Sequence, residues 1–217
     1  VQTCALPICL KENNLLNKFE YLNQKAGEIA QTAKRKFPST YIAGGIPPQN
    51  LTYEADDRSE VEITENFNSQ ANALNPYVDF FYFDVWSSVK EVKCGIEAIK
   101  EFKKPYLIGL HISEGTTLPS GEKILDIKNI IDEDALGVML SCVSPENFEK
   151  NLKELKSLNI PFGFKLNGFV TTKLKESYTS IFIGKKNNPN EILGKRHDLT
   201  PNKFHEIAKK FKENGAT

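Results

Sequence analysis

The feature that most constrains this chain is an alternation: short runs that are apolar on both faces are each separated by a segment with a single helical stripe. The runs are Tyr41–Ile46, Val78–Val85, Tyr106–Ile112, Leu136–Cys142 and Phe162–Asn167. A strand that is apolar on both faces must be covered on both faces, and a parallel sheet flanked by helices does this. Strand starts recur about every 25 to 37 residues, room for a strand, a turn and a crossover helix. A series of right-handed βαβ units follows, closed into a barrel or open as a doubly wound sheet.

The intervening segments carry their own start and stop signals. Leu15, Phe19, Leu22, Ala26, Ile29 and Ala33 are spaced as one buried helical stripe, and Ile63, Phe67, Ala71 and Leu74 repeat the pattern. Ser88 followed by Glu91 forms a capping box for a helix bearing Val89, Val92, Ile96 and Ile99. Ser144-Pro145 and Thr200-Pro201 place a cap and an N1 proline before two further helices, and Gly215 stands at the stop of the second. A short helix is expected around Ile124–Ile131. The polar stretch between Val170 and Asp198 is too long for an ordinary connection and reads as a functional rim loop.

Lys+Arg and Asp+Glu both total 28, so no global field draws the chain to nucleic acid or to an anionic membrane. The expected partner is a small molecule. No apolar run approaches the roughly 20 residues of a membrane helix. Cys4, Cys9, Cys94 and Cys142 are too few and too scattered for a disulfide framework, which fits a reducing, cytoplasmic setting. Residues 1–9 show neither helical nor strand period and read as a non-native leader, leaving 10–217 as one domain.

In parallel βα proteins ligands gather at the C-terminal ends of the strands. Those positions are Gly44-Gly45, Asp84, His111, Cys142 and Asn167. Cys142 is either a metal-seeking thiol or a small buried hydrophobe. Cys94, inside a helix, reads as packing. Asp84 ends the apolar run Phe80-Phe81-Tyr82-Phe83, where a charge requires a ligand or a salt bridge. His111 reads first as a hydrogen-bonded wall residue and second as a ligand. Asn167 either binds a polar ligand or caps the turn into Gly168. No Ser-His-Asp order, dinucleotide glycine loop, phosphate loop or His-Glu-x-x-His pair is present.

Five pieces of the sequence, in this order, resemble the homocysteine S-methyltransferase family: Ile42-Ala43-Gly44-Gly45-Ile46-Pro47-Pro48, Phe83-Asp84-Val85-Trp86-Ser87-Ser88, Leu118-Pro119-Ser120-Gly121, Ser141-Cys142-Val143-Ser144-Pro145 and Leu199-Thr200-Pro201. The resemblance implies an α/β fold, a TIM (β/α)8 barrel that is incomplete at both ends here. It implies methyl transfer from a small methyl donor to the thiol of homocysteine, forming methionine. It also implies zinc held by three cysteines, of which Cys142 matches the first. The other two follow a Gly-Ala-Thr segment in relatives, so they are expected beyond Gly215-Ala216-Thr217. Asp84, Asn167 and Gly45 are the expected substrate-binding positions.

The chain departs from the family pattern at the site. Asp84-Val85 stands where relatives have Glu-Thr, Ser141 replaces an Asn before the cysteine, and Lys165-Leu166-Asn167 replaces Tyr-Pro-Asn. Lys165 opens a competing reading, a Schiff-base aldolase or lyase that uses it as the amine nucleophile. A non-enzymatic relative that binds an amino acid is the other alternative.

Overall fold

The computed structural model describes residues 10–11, 14–50, 52–173 and 193–217. The elements are α1 (Phe19–Lys36), β1 (Ala43–Ile46), α2 (Glu60–Leu74), β2 (Phe80–Trp86), α3 (Val89–Ile99), β3 (Tyr106–Leu110), a 3-10 segment (Ile124–Asn129), β4 (Ala135–Val143), α4 (Pro145–Ser157), β5 (Phe162–Leu166) and α5 (Pro201–Glu213). The strands form one sheet in the order β1-β2-β3-β4-β5, each parallel to its neighbour. Sequential order without a reversal is the connectivity of a (β/α) barrel wall, and it removes the doubly wound alternative.

Local chemistry sets the boundaries. Ser59, Ser88, Ser144 and Thr200 each accept a hydrogen bond from the third backbone N–H of the helix that follows, satisfying one otherwise orphaned donor. Prolines at the first turn of α4 and α5 cost no hydrogen bond there.

Under the helices Phe67 of α2, Trp86 and Phe83 of β2, and Tyr106 of β3 form a continuous ring stack, with centroid separations of 4.5, 4.1 and 5.2 Å. On the opposite face of the sheet lie Gly45, Tyr82, Gly109, Ser141 and Lys165, one from each strand; Gly45 pairs with Tyr82 and Ser141 with Lys165, while Gly109 stands two residues beyond the partner of Tyr82 and two short of that of Ser141 along the staggered ladder.

The first helix departs from its expected packing. Ile29 and Leu15 of the apolar stripe are exposed, and the residues buried in α1 are Asn23 and Gly27. Close approach and hydrogen bonding orient the helix instead. A Cβ at Gly27 would lie 2.3 Å from the Tyr77 ring, Asn23 accepts from Gln70 Nε2 at 2.6 Å, and Gln31 Nε2 donates to the Tyr77 carbonyl at 2.7 Å. Lys34 completes the set by pairing with Asp79, which also accepts from the Ile42 N–H at the foot of β1.

Gly95 of α3 faces the ring stack, and a Cβ there would lie 2.0 Å from Trp86 Cη2. Gly95→Ala returns about 1 kcal/mol of helix propensity, but Trp86 is held between two rings and cannot retreat. Overpacking of this kind costs about 1–3 kcal/mol and belongs at the upper end here. The expected outcome is a net loss of about 2 kcal/mol, read as a lowered denaturant midpoint with unchanged slope.

Candidate functional site

Two irregularities in the ladder build the mouth of the sheet. Along β2 the pairing advances from Phe83↔Ile108 to Trp86↔Leu110, so β2 carries one extra residue, and Val85 takes φ +66°. Along β4 it advances from Ser141↔Lys165 to Val143↔Leu166, so Cys142 is the extra residue, with φ +54°. A non-glycine residue in the left-handed region costs roughly 1–2 kcal/mol, and such bulges re-aim side chains at barrel rims.

The bulge at Cys142 is held from both sides. Asn167 Nδ2 donates to the Cys142 carbonyl at 2.5 Å, while its Oδ1 accepts from the Phe169 N–H at 3.0 Å. Asn167 thus caps the turn after β5 and fixes the cysteine backbone, with its amide 3.8 Å from the sulfur. Tyr53, on the loop between β1 and α2, brings its hydroxyl to 2.9 Å from Cys142 Sγ and packs its ring 4.4 Å from that of His111.

His111 is a wall residue. It is completely buried, with Nδ1 3.1 Å from the Ser141 carbonyl and Nε2 2.9 Å from Ser113 Oγ and 3.2 Å from Thr172 Oγ1. Burial pushes its pKa down to about 4, so the ring is neutral with both nitrogens engaged.

Asp84, only 4 % exposed, meets the Lys165 ammonium at 2.7 Å through each of its oxygens. The Lys165 Nζ also lies 5.6 Å above the Tyr82 ring, whose hydroxyl is 2.5 Å from Ser141 Oγ. Gly109 makes this layer possible, because a Cβ there would meet Phe83 O at 2.5 Å, Ser141 Oγ at 2.6 Å and the Tyr82 ring at 2.9 Å. An amine tied to both oxygens of a buried carboxylate is not presented as a nucleophile, which speaks against the Schiff-base reading. Gly45, level with Tyr82, has open space where a Cβ would stand.

Burial raises the Cys142 thiol, opposed by hydrogen bonds from Tyr53 and Asn167 and by the charge of Lys165. Among the described residues no group of three or more His, Cys, Asp or Glu is placed to hold a metal ion. Cys142 therefore offers one sulfur donor. Cys94, by contrast, is buried in α3 with its sulfur 3.6 Å from the Glu60 carbonyl, as expected of packing. A cavity of about 490 Å³ borders the mouth beside Tyr53, Ser113 and Thr172, and extends to Leu118 and Lys173. Most of the expected rim loop, residues 174–192, and the leader 1–9 lie outside the described residues.

Tyr53, Tyr82, Ser113 and Thr172 lie at the candidate site, and the sequence reading did not single them out. Tyr53 carried one usable signal, an aromatic in the loop after β1, on the side where parallel βα proteins place their ligands.

A sequential parallel βα wall, with a thiol, an ammonium–carboxylate pair and an amide at its strand ends, defines a protein of the (β/α) barrel class with a polar strand-end mouth. The sequence itself settles the family: residues 4–217 match the homocysteine S-methyltransferase family, and the chain belongs to it. The metallated form of the homocysteine methyltransferase MmuM from Escherichia coli superposes with a TM-score of 0.69 at 16% identity, over 77% of this chain and 65% of that one. Its oxidised form gives 0.66 at 17% identity over 77% and 64%. The chain thus spans just under two thirds of the length of these neighbours, which share its fold. No curated protein sequence matches the chain.

The loop that carries Tyr53 is fastened by charge. Asp56, almost fully buried, accepts from the Arg58 guanidinium at 2.6 Å. Nearby Glu91 accepts from Ser88 Oγ at 2.7 Å and from the Ser87 N–H at 3.1 Å. Burial raises the Glu91 pKa to about 7 from an ordinary 4.5, despite those two hydrogen bonds and with the Asp56 charge adding to the rise. A raised carboxylate pKa means that the folded state binds the proton more tightly. Its stabilising contribution is complete below about pH 4.5 and is lost as pH rises through about 7. Relative to Glu91→Gln, the parent protein should therefore lose on the order of 3 kcal/mol between those pH values and nothing above them. Denaturant titrations of both proteins across pH 4.5–8 check this; parallel curves would show that Glu91 does not titrate there.

Proposed function

We propose that the protein transfers a methyl group from a small donor to the thiol of homocysteine. In this reading Cys142 is one of three cysteine ligands to a zinc ion, the other two following Thr217 in the full-length protein. Asp84, Asn167 and the open backbone face of Gly45 form the amino-acid end of the site. The observation that carries the proposal is the bulge at Cys142, in a chain of this family. The ladder gains an extra residue and accepts a left-handed backbone at the mouth position where, among the described residues, a thiol stands.

The donor set fits a metal held in part. A sulfur at a strand end, flanked by the Tyr53 hydroxyl and the Asn167 amide, has hydrogen-bond donors suited to a thiolate. The chain's last residues support the placement of the remaining ligands. The Thr217 N–H donates to the Phe162 carbonyl at 3.0 Å, so this segment lies beside the start of β5. A strand continuing in that register, at about 3.3 Å per residue, comes level with Asn167 and Cys142 about five residues further on.

Zinc bound there would act as a Lewis acid that lowers the pKa of a substrate thiol. The protein's own residues do the rest. Asn167 fixes the direction of Cys142, Tyr53 and His111 wall the site against water, and the Asp84–Lys165 pair orients the acceptor so that its sulfur faces the donor. The four cysteines and an ordinary charge balance fit a cytoplasmic enzyme. Among the described residues no helix is long and apolar enough to cross a membrane.

The full-length protein is expected to bind about one zinc per chain and to methylate homocysteine. Cys142→Ser should lose most of its metal by elemental analysis and at least about a hundredfold in turnover, since loss of an outer-shell partner alone costs 10–100-fold. Cys94→Ser should keep both. A Cys142→Ser protein with full zinc occupancy would remove the assignment.

A further inference from the structure

We infer that Lys165 is a specificity-determining residue: with Asp84 behind it, it anchors the carboxylate of the acceptor, so the site selects thiols that carry a carboxylate and depends little on an α-ammonium. This rests on the reading of the mouth as an acceptor-thiol site, and it changes which end of the acceptor the protein holds.

A bare buried carboxylate at this position would attract a ligand ammonium. Here the carboxylate already has its cation. Both Asp84 oxygens lie 2.7 Å from Lys165 Nζ, and the Asp84 side chain is 4% exposed against 37% for Lys165. A ligand ammonium could reach Asp84 only by displacing Lys165 or sharing its oxygens, and taking the cation from a buried carboxylate is costly. A ligand carboxylate meets no such obstacle. An ammonium has three protons, the contacts to Asp84 use two, and the third can be given to an incoming oxygen while the pair stays intact.

The other charges at the mouth point the same way. Asp84 and Lys165 cancel, and His111 is neutral with both nitrogens occupied. Asn167 spends its amide on the backbone of Cys142 and Phe169. Lys165 is therefore the cationic donor left at the strand ends among the described residues, and it is near the thiol as well. It pairs across the ladder with Ser141, the residue before Cys142, so a ligand with sulfur at Cys142 and a carboxylate a few bonds away spans a single strand spacing.

The test compares three thiols on the full-length protein by calorimetry: homocysteine, 4-mercaptobutanoate, which lacks the ammonium, and 3-mercaptopropan-1-amine, which lacks the carboxylate. A charge-assisted hydrogen bond corresponds to about ten- to hundredfold in affinity. The carboxylate thiol should bind within about tenfold of homocysteine and the amine at least about tenfold more weakly than the carboxylate thiol. In Lys165→Met the order of those two analogues should reverse, because the ligand ammonium then takes the place of the Lys165 ammonium beside Asp84. Should that variant fail to fold without the Lys165 cation, Lys165→Met combined with Asp84→Asn should abolish the preference instead. Binding of the amine as tightly as homocysteine by the parent protein, or no binding of any thiol, overturns the inference. Methyl transfer is assayed separately. Binding in the expected order without methylated product refutes the transferase reading and leaves the role of Lys165 standing.

Discussion

One extra residue in β4 governs the geometry of this site. A regular strand would carry Cys142 to the other face of the sheet, since side chains alternate with every residue. The bulge breaks that alternation, at roughly 1–2 kcal/mol for a left-handed cysteine. The surrounding contacts offset this cost. Asn167 donates to the Cys142 carbonyl and Tyr53 meets the sulfur, so the backbone is fixed by one residue and the side chain by another. Val85 repeats the device two strands away, beside Asp84. Both defects fall at the C-terminal ends of their strands, where bulges re-aim side chains, whereas a third, at the start of β4, lies at the other end of the sheet.

The polar layer beneath the mouth depends on a missing side chain. Gly109 leaves the space in which the Tyr82 ring, Ser141 and, above them, Lys165 come together. Two faces of one strand therefore do different work. Phe83 joins the apolar stack that holds α2 and α3 to the sheet, while Tyr82 and Asp84 belong to the hydrogen-bonded layer. A polar layer of this kind is favourable only where its members are satisfied, and the Asp84–Lys165 contacts meet that demand for the charged pair.

The strands and helix starts were legible in the sequence because they follow local rules. An apolar run between polar turns is a strand wherever it sits, and Ser59, Ser88, Ser144 and Thr200 cap the helix that follows them in the chain. Strand ends were legible for the same reason, which put Asp84, His111, Cys142 and Asn167 at one edge. What they do there was not. The partner of Asp84 lies 81 positions away on β5, and that of Cys142 lies 89 positions away on a loop. The bulges were hidden because they are defects of pairing, a relation between two strands. The first helix misled because Gly27 and Asn23, poor markers of a buried face, outweigh Ile29 through close approach and hydrogen bonding.

The electrostatics of Cys142 show what the described residues leave for a cation to do. Lys165 favours the thiolate and Asp84 opposes it to a smaller extent. The neighbouring imidazole is held neutral, and adds no charge. Burial then dominates, and the hydrogen bonds from Tyr53 and Asn167 only reduce its effect. A thiol in such a setting stays protonated and unreactive by itself. In the proposed metal site a soft divalent cation would supply the charge that the surroundings lack, and the buried sulfur, once deprotonated, would have little water to compete for it. Burial that suppresses a free nucleophile is thus consistent with a ligand, and the pairing of Lys165 with Asp84 lets a cation approach the mouth without meeting an uncompensated positive charge.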